Sequence, residues 1–497
     1  MTESHGQATV ETTTLVGTEP VPVEVQVDVA PGLPGFSIVG LGDTAVLEAR
    51  ERVRSAVRST GFRFPNARVV VNLAPGPLRK HGTGFDLPIA LGLLAATAQI
   101  PSELWSGRRA VGELSLDGAV RPVPGMLAHA LGARRDHLPL LGPLDSAHLA
   151  GGLPGLQYRG ISSLARILSE ESLPAVSSSH GTRFAAPDLA DVTGLNTARR
   201  ALEIAAAGGL NLLFTGPPGS GKTMLARRLG PILPPLEGEE RIETALVHSV
   251  AGLHEGPALR GQRPFRAPHH SASLAGLVGG GSPPRPGEVS LAHNGVLFLD
   301  ELPEFAPSAL QSLRQPMEDG WITLVRAEGR IRFPARFTLV AAANPCPCGY
   351  LGDPVKVCRC TESTVLRYQG RIGGPLMDRI DMAVSVERID PSALVRGADG
   401  ESSDRVRERV SDARAHARHA ARPLAATLSG GELIAACRFD SQTRQTLTEV
   451  GRQHHLSGRA ITRLMRVART IADIEGSSQV GTVHVMEALG FRREDLR

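Results

Sequence analysis

Residues 216–223 read GPPGSGKT, a glycine-rich turn that closes on a lysine and a threonine. An apolar run at 211–215 precedes it and a helical pattern at 224–229 follows, the context a phosphate-binding loop requires. Gly216, Pro217, Pro218, Gly219, Ser220 and Gly221 form the turn, and its glycines let successive backbone N–H groups point at one anion while the helix behind adds its positive end. Lys222 is then placed to reach the β and γ phosphates of a nucleoside triphosphate, and Thr223 to hold Mg2+. Lysine is scarce: Lys80, Lys222 and Lys356 are the chain's lysines, so the phosphate-contacting position takes one of few.

Farther along, the apolar run 296–299 ends in Asp300 and Glu301. Two carboxylates at the C-terminal edge of a parallel strand beside the loop suit phosphoryl transfer, which needs positioning more than covalent help. Asp300 would complete the Mg2+ shell and Glu301 would polarise the attacking water. Asn344 ends the next strand-like run, where its amide is expected to sense the γ-phosphate; the alternative is a turn-forming Asn before Pro345. In GPLMDRID, 374–381, Arg379 could neutralise charge at a neighbouring subunit's γ-phosphate, or else pair locally with Asp378 or Asp381.

Cys346, Cys348, Cys358 and Cys360 follow Asn344 directly as C-x-C, nine residues, C-x-C. Four thiols so close invite a tetrahedral Zn2+ site, with free or transiently oxidised thiols as the alternative. Cys437, alone on a helix, is expected in the core. His269 and His270, in RAPHHSAS, are read as polar loop packing, with metal binding as the alternative.

Residues 321–336, WITLVRAEGRIRFPAR, are two β-favouring runs around a turn, with arginines at Arg326, Arg330, Arg332 and Arg336. A basic hairpin of this kind could pair with nucleic-acid phosphates in a sequence-tolerant way, or be an ordinary solvated hairpin. The arginine-rich helix beginning near Asp404 is interspersed with Asp404, Glu408 and Asp412, which suggests surface pairing instead.

The elements that must position these groups are distributed over 497 residues, which exceeds one hydrophobic core and suggests about three domains. Hydrophobic residues at 41% and charged residues at 21% are globular proportions and exclude a disordered chain, while a net charge of +4 leaves any nucleic-acid surface to local clustering. The opening residues lack a secretory signal and the longest apolar helix candidate, 87–100, is too short for a bilayer, so a soluble cytoplasmic protein without membrane contact is expected. Residues 1–173 mix β runs (21–29, 68–73) with a helical stretch (43–59), an α+β pattern; 174–187 read as a Ser/Pro-rich linker. Residues 188–390 alternate apolar runs with helical segments, the order of a parallel α/β sheet. From 391 to 497 strand signals fade and helices are expected at 403–422, 430–437, 441–455, 457–475 and 482–489.

Five segments carry a close resemblance to one family: GPPGSGKT; the long run from Pro268 to Phe305; LRQPMEDG at 313–320; AANPCPCG at 342–349; and SGRAITRLMRVARTIADIEG at 457–476. With these the chain resembles the YifB/ComM family, the magnesium-chelatase-like AAA+ ATPases, over almost its whole length. The resemblance implies an α/β AAA+ P-loop NTPase core with a C-terminal helical lid and an ATP-driven ring, usually a hexamer, with the active site between subunits. It implies that Arg379 matches the arginine finger and that Arg459 or Arg463 matches the lid arginine. It further implies pore hairpins on DNA and branch migration during natural transformation; the competing implication is a chaperone-like remodeller of a partner protein, as in magnesium chelatase. Relatives usually carry Gly-Gln before the first ATPase helix, where this chain has Gly194 and Leu195, which argues against a nucleotide-contacting side chain there.

The first block resembles the Lon protease catalytic fold through KHGTGFDLPIALGL (80–93) and GELSLDGAVRPVPGMLAHA (112–130). Lon-type hydrolysis uses a serine and a lysine, and those positions fall on Gly84 and His129 here, with Thr83 one place away. No peptidase activity is expected, and an inert or DNA-contacting platform is.

Overall fold

The computed structural model describes residues 6–169, 187–326, 329–389 and 400–492. All of the expected linker except Pro187, the tip of the hairpin at 327–328 and the boundary near 391 lie outside the described residues.

The N-terminal block is built on a seven-stranded sheet. Its centre is a long antiparallel ladder between Gly6–Val16 and Glu19–Ala30, turned at Gly17, whose φ of +66° a glycine adopts freely. Val23, Val25, Val27 and Val29 alternate into the core, as period-two patterning dictates. The helices Thr44–Ser59 and Asp86–Ala96 pack in that same core, the former capped by Asp43 through Val46 N at 2.9 Å. The helix Met126–Arg135 contacts both long strands on the face where Thr13 meets His129, so the sheet is covered on both sides.

The central block is a five-stranded sheet in the order Phe265–Arg266, Val296–Leu299, Thr338–Ala343, Leu212–Thr215, Met382–Ser385, with every neighbouring pair parallel. Helix Asn196–Gly208 and the strands bury alanines and leucines in one cluster that also takes in the C-terminal helices Ser403–His419, Gly430–Cys437, Gly458–Ile474 and Thr482–Gly490. The C-terminal helices are therefore joined to the five-stranded sheet by a continuous core. Charge ties reinforce the seam: Arg409 reaches Glu203 at 2.5 Å and Glu401 at 2.5 and 2.7 Å, and Leu189 N donates to Ser403 Oγ at 2.7 Å. The fully buried Arg469 donates to Asp473 at 3.0 Å and to Ser477 O at 2.5 Å, so its charge is paired within the lid.

Helix Gly238–Val250 joins the two halves. It lies along Met126–Arg135; Gly125 N donates to Ser249 O at 2.7 Å, and Leu236, Ala245 and Ala258 share a cluster with Leu127 and Leu140. The described residues contain no helix long and apolar enough to cross a membrane.

Candidate nucleotide site

Leu212–Thr215 is a central strand of four residues, and the loop 216–221 leaves its C-terminal end, where ligands of open parallel sheets gather. The glycines act for separate reasons. Gly219 and Gly221 hold φ of +79° and +95°, the left-handed region, whereas a Cβ on Gly216 would lie 2.1 Å from Val386 O. Helix Lys222–Arg227 starts directly behind. Lys222 folds back over the loop, donating from Nζ to Gly216 O at 2.7 Å, Pro217 O at 2.9 Å and Asn344 Oδ1 at 3.2 Å. Burial lowers its pKa, and Asp300 and Glu301 oppose that shift.

Thr223 Oγ1 donates to Asp300 Oδ2 at 2.6 Å. A hydroxyl and a carboxylate oxygen so close are a hard-oxygen donor pair that one Mg2+ can share, and the donor set fits that ion. Glu301 follows with φ of +52°, unusual for a non-glycine residue, and its backbone N–H donates to Asp300 Oδ1 at 3.0 Å, so the two carboxylates diverge from one strand end. Leu195, in the position before the first ATPase helix, also has positive φ and packs beside the loop, its Cδ1 3.8 Å from where a Cβ on Gly221 would sit. It offers an apolar wall there.

One feature of this site escaped the reading of the sequence. His270 Nδ1 lies 3.4 Å from Glu301 Oε2, and its ring lies tilted against His269 at 4.1 Å between centroids and edges onto Phe305 at 6.5 Å. The expected loop packing is there, but it ends on the water-polarising candidate. The signal available was the doubled histidine itself, beginning three residues beyond the strand Phe265–Arg266 that pairs with Val296–Leu299.

Arg379, Arg459 and Arg463 gather elsewhere. Asn211 anchors the N-terminal end of the loop strand: its N–H donates to Asp381 Oδ2 at 2.9 Å and its Nδ2 to Arg379 O at 2.9 Å. At about 3.3 Å per residue the four-residue strand puts that end about 13 Å from the loop. Arg379 pairs with Glu318 and Pro375 O rather than with Asp378 or Asp381. Asp378 instead takes Arg459 at 2.7 Å, and Arg463 donates to Met377 O at 2.7 Å and Ile380 O at 3.0 Å. Asp381 is buried, which pushes its pKa up to about 6. Within one chain, none of the three arginines stands over its own phosphate loop.

The hairpin is amphipathic. Ile322↔Phe333 and Leu324↔Ile331 share one face, Thr323↔Arg332 and Val325↔Arg330 the other. The apolar face sits on Leu15, Ala128 and Val250, leaving Arg330 and Arg332 exposed together on the far face. Arg326 follows Leu324 on the first face; it is exposed too, and with Arg330 it lines a cavity against the N-terminal block, while Arg336 pairs with Glu243 at 2.9 Å. Of the three DNA candidates, the fold pairs two.

The four thiols converge: Cys346 Sγ is 3.4 Å from Cys348 Sγ and 3.6 Å from Cys358 Sγ, Cys348 to Cys358 is 3.5 Å, and all four lie within 4.8 Å of one another. Cys437 is buried in the lid core as expected.

In the N-terminal block, Thr13 Oγ1 is 2.6 Å from the buried His129 Nδ1, and burial, followed by Arg109, pushes that imidazole down to about 3. Thr83 donates to Glu113, not to His129, and the space off Gly84 faces Val111 and Val123.

Three family descriptions cover most of the chain: "Magnesium chelatase, subunit ChlI" matches residues 188–394, "Subunit ChlI of Mg-chelatase" 25–141, and "Magnesium chelatase, subunit ChlI C-terminal" 400–492. YifB of Salmonella typhimurium is 42% identical over 98% of this chain and 97% of its own length. The protein Rv2897c of Mycobacterium tuberculosis is 44% identical over 96% of both. The competence protein ComM of Haemophilus influenzae is 42% identical over 95% of this chain and 94% of its own. The chain belongs to the YifB/ComM family. Members carry the magnesium-chelatase-type AAA+ domain, here the five-stranded sheet with its helical lid, for which ATP with Mg2+ is the general ligand.

Proposed function

We propose that this YifB/ComM-family chain is a DNA-acting, ring-forming ATPase, a hexamer whose nucleotide is hydrolysed between subunits. Lys222 and the loop amides bind the triphosphate, Thr223 and Asp300 share Mg2+, Glu301 polarises the attacking water and Asn344 orients it. Arg379 of one subunit, with Arg459 or Arg463 beside it, completes the site of the next. The support for a shared site is geometric: these arginines cluster at the sheet edge opposite the loop, so they meet a phosphate when a second copy presents one. The cofactors are ATP, Mg2+ and, on the four thiols, Zn2+. The N-terminal block is a Lon-protease-like fold acting as a platform without peptidase chemistry.

The observation that carries the DNA reading is the two-faced hairpin, which spends its apolar face on the platform and presents Arg330 and Arg332 outward. A relative named as a competence protein agrees with it, and branch migration during natural transformation is the role it suggests. The second reading, remodelling of a partner protein, is favoured by the magnesium chelatase descriptions. ATPase rates with branched, single-stranded and duplex DNA separate the two. The motor should be stimulated, with Arg330→Ala/Arg332→Ala losing stimulation but keeping the basal rate. Equal rates with and without every DNA would favour the remodeller.

A further inference from the structure

The cysteine loop is more than a neighbour of the nucleotide site. Asn344, whose Oδ1 accepts from Lys222 Nζ at 3.2 Å, stands two positions before Cys346. Gly349, one position beyond Cys348, holds φ of +83° and lies so close to the phosphate loop that a Cβ there would come 2.6 Å from Pro218 Cδ and 2.7 Å from its Cγ. The loop is also held at its start and at its middle: Gln369 Nε2, on the helix Glu362–Gly370, donates to Pro345 O at 2.9 Å, and Arg388, three residues beyond the strand Met382–Ser385, pairs with Asp353 at 2.7 Å.

What holds the loop in that shape is not apolar burial. Leu351, Val355 and Val357 are exposed, the last at 87%, and of the four thiols Cys346 alone is buried. A segment with so little core needs a cross-link, and the thiols supply its geometry. Tetrahedral Zn–S bonds of about 2.3 Å demand S···S separations of about 3.8 Å, close to the 3.4, 3.5 and 3.6 Å found. Disulfides would draw the sulfurs pairwise to about 2.05 Å, whereas all four cysteines are free thiols here.

We propose that Zn2+ bound by Cys346, Cys348, Cys358 and Cys360 clamps this loop against Pro218 and fixes Asn344 on Lys222, so that affinity for ATP depends on the metal. The inference rests on the nucleotide reading of residues 216–223 and adds a regulator to it: loss of zinc, by chelation or by oxidation of the thiolates, loosens the loop and weakens nucleotide binding. Four thiols give up their protons to the solvent as the ion enters, and no oxidant or reductant is needed.

The test uses full-length protein purified without chelator. Metal analysis should find one zinc per chain, released when a mercurial reagent caps the thiols. A fluorescent ATP analogue, titrated with Mg2+ in excess, should bind about 10-fold more weakly after a zinc-selective chelator and recover when zinc is restored. Gly349→Ala keeps all four ligands but drives a methyl group into Pro218; it should retain one zinc per chain and still lose about 10-fold in affinity. Zinc content near zero in the wild type would overturn the metal site, and unchanged affinity in the zinc-stripped protein would overturn the clamp whatever Gly349→Ala does. Lys222→Ala tests the parent reading separately: it should abolish analogue binding with zinc intact, and wild-type binding there would sink the nucleotide assignment while leaving the zinc measurement standing.

Discussion

The His270 imidazole meets the Glu301 carboxylate, Nδ1 to Oε2, at 3.4 Å, and the ring is itself wedged between His269 and Phe305. Glu301 is half exposed and sits at positive φ at the end of Val296–Leu299, so nothing else in the described residues fixes where its carboxylate points. A wedged ring one contact away supplies that orientation. His270→Ala should therefore lower kcat for ATP by about 10-fold, about 1.4 kcal/mol of barrier, with KM changed much less. His270→Asn, which keeps a hydrogen-bonding group, should recover part of the loss. A fall in ATP affinity with kcat unaltered would instead make His270 a packing residue.

Glu301 and Asp300 should separate turnover from metal binding. Glu301→Gln keeps the loop, Thr223 and Asp300 intact and should bind ATP with near wild-type affinity while hydrolysis drops by at least 100-fold. Asp300→Asn should behave differently again. Thr223 loses the carboxylate that accepts its hydroxyl at 2.6 Å, so the deficit should appear as a raised Mg2+ requirement in a magnesium titration of ATPase rate. Identical magnesium curves for wild type and Asp300→Asn would remove Asp300 from the metal shell.

Arg379 and Glu318 make the shared site testable by mixing. Arg379→Ala leaves its own phosphate loop untouched, so it should bind ATP normally yet hydrolyse it at least 100-fold more slowly. Glu301→Gln is inactive for the opposite reason. Combined in equal amounts and allowed to exchange subunits, the two should regain activity, because Arg379 of the Glu301→Gln chain can face the intact Glu301 of the other. A mixture no more active than its parts would mean that Arg379 is an internal ion-pair residue holding Glu318.

The parts of the fold that announce themselves are those with strict local requirements. The glycine-rich loop, the strand Val296–Leu299 ending in its acid pair and the helix Gly430–Cys437 lie where the pattern puts them, because periodicity and capping are local properties. The strand Gly6–Val16 was hidden by its own composition: Thr12, Thr13 and Thr14 are all buried, which erases the alternation that marks a half-buried strand. Phe265–Arg266 is two residues long, too short to carry a pattern, and Met382–Ser385 lacks the continuous apolar run of Val296–Leu299; pairing with Val296–Leu299 and with Leu212–Thr215 makes them strands. The hairpin was legible as a hairpin, but the division of Arg326 from Arg330 and Arg332 depends on register. His270 on Glu301, and Gly349 on Pro218, join loops far apart in sequence, which no local pattern encodes.

His129 makes a prediction about pH with a definite sign. Burial holds its pKa at about 3 in the folded chain, against about 6.5 when unfolded. Between those values the unfolded chain carries a proton that the folded chain does not, so stability falls as pH drops below about 6.5, by about 1.4 kcal/mol per pH unit, and the loss stops near the folded value. At pH 5 the deficit should reach about 2 kcal/mol for this group alone. His129→Asn removes the titrating ring while keeping a polar partner for Thr13 Oγ1, so it should be less stable than wild type at pH 7 but lose less on going to pH 5. Parallel thermal melts of both proteins at the two pH values read the difference directly. The same depressed pKa makes His129 a feeble base, and the hydroxyl it bonds, that of Thr13, is 2% exposed. Casein should accordingly remain intact with wild-type protein, and cleavage that disappears in Thr83→Ala would show that the Lon-like pocket still reacts through a hydroxyl that now faces Glu113.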